Sequence, residues 1–166
     1  MEQQYVSYIR EQLHAVLGID SPSGCTEEVQ QYLCDTLRAM GYAPRRLVKG
    51  GVHVTLGGEG EPLTLLAHAD TLGAVVQYIK PNGRLAISNM TLNVHNAEAE
   101  NVKVITRFNG AYEGTLQLCN ASVHVNPDPN QARDLNKNME IVLDYDVKTK
   151  EDVEKMGILP GDAIAL

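Results

Sequence analysis

Residues 63–67, Leu-Thr-Leu-Leu-Ala, are apolar on both faces of an extended chain, and they stop abruptly at His68-Ala69-Asp70. A strand of that character has to be covered on both sides, so the run predicts a central strand of a layered α/β sheet. Its carboxyl end carries an imidazole and, two residues on, a carboxylate. That pairing is a common start to a metal site, because neutral His is a ligand and a neighbouring carboxylate can orient its ring. One histidine does not make a metal centre, which takes three or four protein donors. His53 and His95 have no partner at ligand spacing, His14 lies on a helix beside its apolar stripe, and His124, alternating within Ser122-Val-His-Val125, could face either a site or solvent.

The sequence before this run is helical and the sequence after it is not. Tyr5, Ile9, Leu13 and Val16 recur at helical spacing and the pattern ends near Gly18. Ser21-Pro-Ser-Gly24 breaks the chain. A second helix follows, with Ser23 or Thr26 placed to cap it, Glu27 and Glu28 in its first turn, and a stripe of Val29, Leu33, Leu37 and Met40. Gly41 stands where a glycine ends a helix. Residues 52–56 alternate like a half-buried strand, and Gly57-Gly-Glu-Gly60 reads as a hairpin turn into 63–67. The glycines match no phosphate-binding pattern.

From residue 70 onward the period is that of strands. Short ones are predicted at 74–79, 84–88, 102–108, 113–118, 122–125 and 139–144, punctuated by turns at Pro81-Asn-Gly83 and Asn109-Gly110. Such spacing suggests a small barrel or sandwich. The proline-broken segment 126–138 is predicted to be an exposed loop. A last helix is predicted from Thr149, with Asp152 completing a capping pair, to Gly157, and 163–166 begins a further strand.

Charge and cysteine content narrow the partners. There are 14 Lys and Arg against 21 Asp and Glu, a net charge of −7, with no basic stripe. This argues against nucleic acid and against an anionic membrane surface. No apolar stretch approaches the ~20 residues of a membrane span, and the first residues have neither the basic nor the apolar part of a signal peptide. Cys25, Cys34 and Cys119 form no Cys-x-x-Cys pair and read as buried, reduced thiols of a cytoplasmic protein. No Gly-x-Ser-x-Gly elbow offers a nucleophile.

The order of the pieces carries more than any one of them. Pro22-Ser-Gly24 with Glu27 opens a helix, and Leu65-Leu-Ala-His-Ala-Asp70 leads into Leu72-Gly-Ala-Val-Val76. Leu143-Asp144, Thr149-Lys-Glu151 and Met156-Gly-Ile-Leu-Pro-Gly-Asp162 follow. This series resembles the tetrahedral (TET) and glutamyl aminopeptidase family of two-zinc metallopeptidases, over nearly the whole chain and in the same order. The resemblance implies an incomplete layered α/β metallopeptidase domain with an inserted small β-barrel dimerisation domain. Residues 1–71 would begin the catalytic domain, 72–160 would form the barrel, and 161–166 would return to the catalytic domain.

The resemblance also implies an aminopeptidase acting on peptides, a homo-oligomer, and two divalent ions, zinc or cobalt, in the intact site. His68 matches the family's first metal ligand and Asp70 the residue that orients it, while Asp162 matches a structural turn. The bridging aspartate, the general-base glutamate and the other ligands have no match here. This chain is therefore expected to be a truncated amino-terminal half, inactive alone and binding metal weakly or not at all. The competing expectation is a non-catalytic binding or assembly module that keeps the barrel.

Overall fold

A computed structural model of the chain describes residues 2–93, 95 and 97–166. The chain divides into two compact units, Met1–Thr71 and Leu72–Leu166.

The first unit contains α1 (Glu2–Leu17), α2 (Glu27–Ala39), and a two-residue antiparallel pair of β1 (Arg45–Arg46) and β2 (Val52–His53). α2 ends as its glycine predicts. Gly41 adopts φ +88°, its N–H reaches the Arg38 carbonyl at 2.9 Å and the Tyr42 N–H reaches the Leu37 carbonyl at 3.0 Å. Val29 and Cys34 are buried beneath the helix. Thr26 is the N-cap residue, but its side chain caps nothing and instead accepts from the Gln30 amide at 2.7 Å.

Three expectations fail in this unit. Residues 63–67 join no sheet, and Leu63, Leu65 and Leu66 are 85%, 83% and 92% exposed. A strand is stabilised by its neighbours more than by its own composition, and among the described residues none pairs with this run. The expected strand 52–56 shortens to β2, and 57–60 turns into no hairpin. Helix α1 forms, yet Tyr5, Ile9 and Leu13 of its apolar stripe are exposed.

The second unit is a closed antiparallel barrel. Its strands are β3 (Gly73–Ile79), β4 (Leu85–Asn89), β5 (Asn101–Ile105), β6 (Ala111–Leu118), β7 (Met139–Leu143) and β8 (Ala163–Ala165), ordered β3-β4-β7-β6-β5-β8. Alternation sends Val102 and Val104 of β5 and Leu116 of β6 inward, where they meet Val76, Leu85, Ile87, Ile141 and Ile164 in one core. A bulge between Val76 and Tyr78 bends β3. Gly114 lies against β7 with no room for a side chain: a Cβ there would sit 2.7 Å from the Val142 carbonyl oxygen. The β3–β4 turn places Gly83 at φ +78°, a conformation that favours glycine. Helix α3 (Lys150–Lys155) carries the expected capping box between Thr149 and Asp152.

Two assignments change here. Residues 122–125 form a turn, not a strand, and the Asn126 amide donates to the Asn120 carbonyl at 2.7 Å across it. Residues 163–165, expected to lie in a return to the first domain, complete the barrel by pairing with β3 on one side and β5 on the other. The sheet needs that strand, because without it both neighbours would be open edges.

Candidate functional site

The His68-Ala69-Asp70 segment is held against the break before α2. The Thr71 N–H donates to the Ser21 carbonyl at 2.8 Å, Pro22 and Thr71 form an isolated parallel bridge, and the Ser21 hydroxyl donates to the Ala69 carbonyl at 3.1 Å. Ser21 is fully buried. Pro22 has no N–H to contribute, so its neighbours Ser21 and Ser23 make the side-chain bonds to this segment.

Ser23 meets Asp70 directly. Its hydroxyl donates to Asp70 Oδ2, so it is not the helix cap that its position suggested. This bond is the leading cause holding the Asp70 carboxyl below the ordinary carboxylate range, against a smaller upward pull from burial and with help from His68.

His68 turns Nδ1 toward the same residue. Nδ1 lies 3.0 Å from the Asp70 carbonyl oxygen and 3.3 Å from Asp70 Oδ1. Both are acceptors when the carboxyl is ionised, so in the neutral ring Nδ1 carries the proton and Nε2 the lone pair. The His68 side chain is 86% exposed. Fixing one ring nitrogen while leaving the other open is how a histidine is prepared to bind a metal ion.

The remaining candidates do not converge on this pair. His14, His95 and His124 are exposed, and His53 Nδ1 accepts from Arg45 Nε at 3.3 Å on the β1–β2 pair. Asp162 is buried in its turn, with Oδ2 accepting from the Leu159 N–H at 2.8 Å and Oδ1 3.3 Å from Arg107 Nε. Among the described residues no group of three His, Cys, Asp or Glu side chains is placed to hold a metal ion. A metal centre needs more donors than His68, so these residues do not suffice for one. Ser23 is the functional candidate that sequence reasoning missed. Its signal was the Pro22-Ser23-Gly24 turn, which puts it ahead of the helix rather than in the cap.

Comparison with known proteins bears on the same segment. Residues 50–166 match the family model described as M42 glutamyl aminopeptidase. YhfE of Bacillus subtilis (strain 168), which carries the provisional name of aminopeptidase, is 36% identical over 158 residues, covering 93% of this chain and 46% of YhfE. The crystal structure of a TET aminopeptidase from a marine-sediment archaeon of the Thaumarchaeota superposes with a TM-score of 0.83 at 21% identity, covering 94% of this chain and 44% of that one. The TET1 peptidase of Pyrococcus horikoshii, described as able to assemble into a tetrahedron or a large octahedral shell, gives 0.77 at 19% identity, covering 94% and 46%. The chain thus spans about half the length of the relatives it matches.

Proposed function

This chain belongs to the M42 glutamyl aminopeptidase family, and from that premise we propose that it supplies the amino-terminal part of a metal-dependent aminopeptidase removing residues from peptide amino termini. The observation that carries the reading is the His68–Asp70 pair, with Nδ1 engaged at 3.0 Å and Nε2 left open. In this reading His68 is one ligand of a two-ion centre of zinc or cobalt. Asp70 fixes its tautomer and Ser23 fixes Asp70. The other donors and the general base come from sequence that this chain does not contain, so the chain alone has no turnover. The run 63–67 takes its place as a central strand once further strands flank it, completing the layered α/β domain. The barrel pairs subunits, in keeping with the assemblies described for the Pyrococcus horikoshii relative. No helix among the described residues is long and apolar enough to cross a membrane, the three cysteines are free, and we place the protein in the cytoplasm.

A second reading, a non-catalytic binding or assembly module, has one observation in its favour: the barrel closes on itself, while the α/β unit leaves Leu63–Leu66 uncovered.

Histidine NMR tests the first reading. His68 should show the Nδ1–H tautomer, and zinc should shift its Nε2 resonance weakly and ahead of the other histidines. The Asp70→Asn variant should weaken the tautomer preference only in part, because the residue-70 backbone carbonyl at 3.0 Å still accepts from Nδ1. A Nε2–H tautomer, or zinc acting first at another histidine, overturns the assignment. Turnover of aminoacyl-nitroanilides by this chain that survives repurification and is lost in His68→Ala would overturn the claim that donors are missing.

A further inference from the structure

The barrel carries a cluster of reactive side chains for which the aminopeptidase reading has no use. Lys80 follows β3, Arg84 precedes β4, Cys119 follows β6 and Glu140 lies at the start of β7, so one rim gathers all four. Lys80 Nζ donates to Cys119 Sγ at 3.2 Å and to Glu140 Oε2 at 2.7 Å. Arg84 holds the other oxygen of Glu140, whose side chain is 4% exposed. Two cations and one carboxylate therefore stand beside a half-buried thiol. Lys80 is kept charged: burial works against the ammonium, but its contacts with Glu140 and Cys119 outweigh that and raise its pKa.

The other two cysteines supply the contrast. Cys34 is 1% exposed and out of reach of solutes. Cys25 is half-buried like Cys119, but burial and the carboxylates of Glu27, Glu28 and Asp20 raise its pKa. Negative charge on sulfur is thus disfavoured at Cys25, whereas at Cys119 an ammonium touches the sulfur. The attacking form is the thiolate, and the Lys80 ammonium 3.2 Å away is placed to hold the negative charge of the reacting sulfur and oxygen.

We propose that Cys119 is the peroxide-reactive thiol of this protein, with Lys80 as its positioning residue. The sulfur attacks one oxygen of hydrogen peroxide, and an S–O bond forms as the O–O bond breaks. Sulfur loses two electrons, and the departing hydroxide takes up the proton that the thiol gave up. Thiol and peroxide become sulfenic acid and water. The Lys80 ammonium is positioned to bond the new oxygen, which competes with Glu140 for it. The backbone of Cys119 also closes the base of the 120–138 loop, its N–H donating to the Asn138 carbonyl at 2.9 Å. Oxidation therefore falls where that loop is tied to the barrel.

The test treats the intact chain with hydrogen peroxide in the presence of dimedone and quantifies the adduct at each cysteine by peptide mass spectrometry. Cys119 should be labelled ahead of Cys25, with Cys34 last. Lys80→Met should slow Cys119 about fivefold, the size of one half-exposed charge contact, leave Cys25 unchanged, and be largely rescued by Lys80→Arg. Equal or faster labelling of Cys25 in the unmodified chain overturns the proposal, as does an unchanged Cys119 rate in a folded Lys80→Met. Reactive Cys34 would reveal an unfolded variant, and the comparison of Cys119 with Cys25 in the unmodified chain then decides alone.

Discussion

Gly114→Ala should destabilise the barrel, although alanine is the smallest change available. The added Cβ would lie 2.7 Å from the Val142 carbonyl oxygen, 2.9 Å from Ile141 Cγ2 and 3.3 Å from Leu143 Cα. Two of these three atoms are backbone of β7. Gly114 pairs with Leu143, so β7 cannot retreat without lengthening the ladder that joins it to β6. Ile141 is fully buried in the core and has no free space to turn into. Overpacking of this kind costs about 1–3 kcal/mol, and replacing glycine returns about 0.4–1 kcal/mol by narrowing the unfolded ensemble. The net loss is then about 1–2 kcal/mol, or roughly 4–16 °C in Tm for a unit of this size. Near-UV circular dichroism follows the right part of the molecule, because Tyr112 and Tyr145 pack edge-on within the barrel, with centroids 5.4 Å apart. A melting temperature equal to or above that of the unmodified chain would refute the packing argument.

Glu140 gives the barrel a defined response to acid. Burial favours its neutral form, but hydrogen bonds from Lys80 and Arg84 outweigh this and lower its pKa. A depressed carboxyl pKa stabilises the fold fully above the unfolded value of about 4.3, and that contribution is lost as pH falls through the folded value. Glu140→Gln should therefore cost about 2–3 kcal/mol in urea unfolding at pH 7, below the full penalty for a broken buried pair because both cations can turn to solvent. The cost should shrink on acidification, and a difference independent of pH would exclude this origin. Assembly is checked by light scattering over a dilution series. The exposed Leu63, Leu65 and Leu66 and the proposed pairing through the barrel both predict a self-associating species, most simply a two-fold dimer. A strictly monomeric chain at high micromolar concentration would contradict both.

The barrel was readable in the sequence because its signals are local. Turn glycines at 83 and 110 and the alternation around Val102, Val104 and Leu116 depend on near neighbours in the chain. What failed depended on distant ones. Leu63–Ala67 has the composition of a covered strand, and composition does not supply the partners that would make it one. The strand starting at Ala163 was readable, but not its partners: it pairs with β3 and β5 and closes the barrel. Residues 122–125 alternate correctly but precede Pro127 and Pro129, and side-chain amides fold the loop on itself. At the candidate site, His68 and Asp70 were legible from their spacing after an apolar run. The contribution of Ser23 was not, since it comes from Ser21-Pro22-Ser23 lying alongside Ala69-Asp70-Thr71.

The pairing of Gly73 with Ala165 makes the barrel portable. Residues facing each other across an antiparallel ladder are about 4.5–5.5 Å apart, so the polypeptide enters and leaves this unit through one doorway. Between its two ends lies only a gap that a tight turn could bridge. The two ends could then be joined by two or three residues, and the chain reopened at another of its turns, without moving the strands between them.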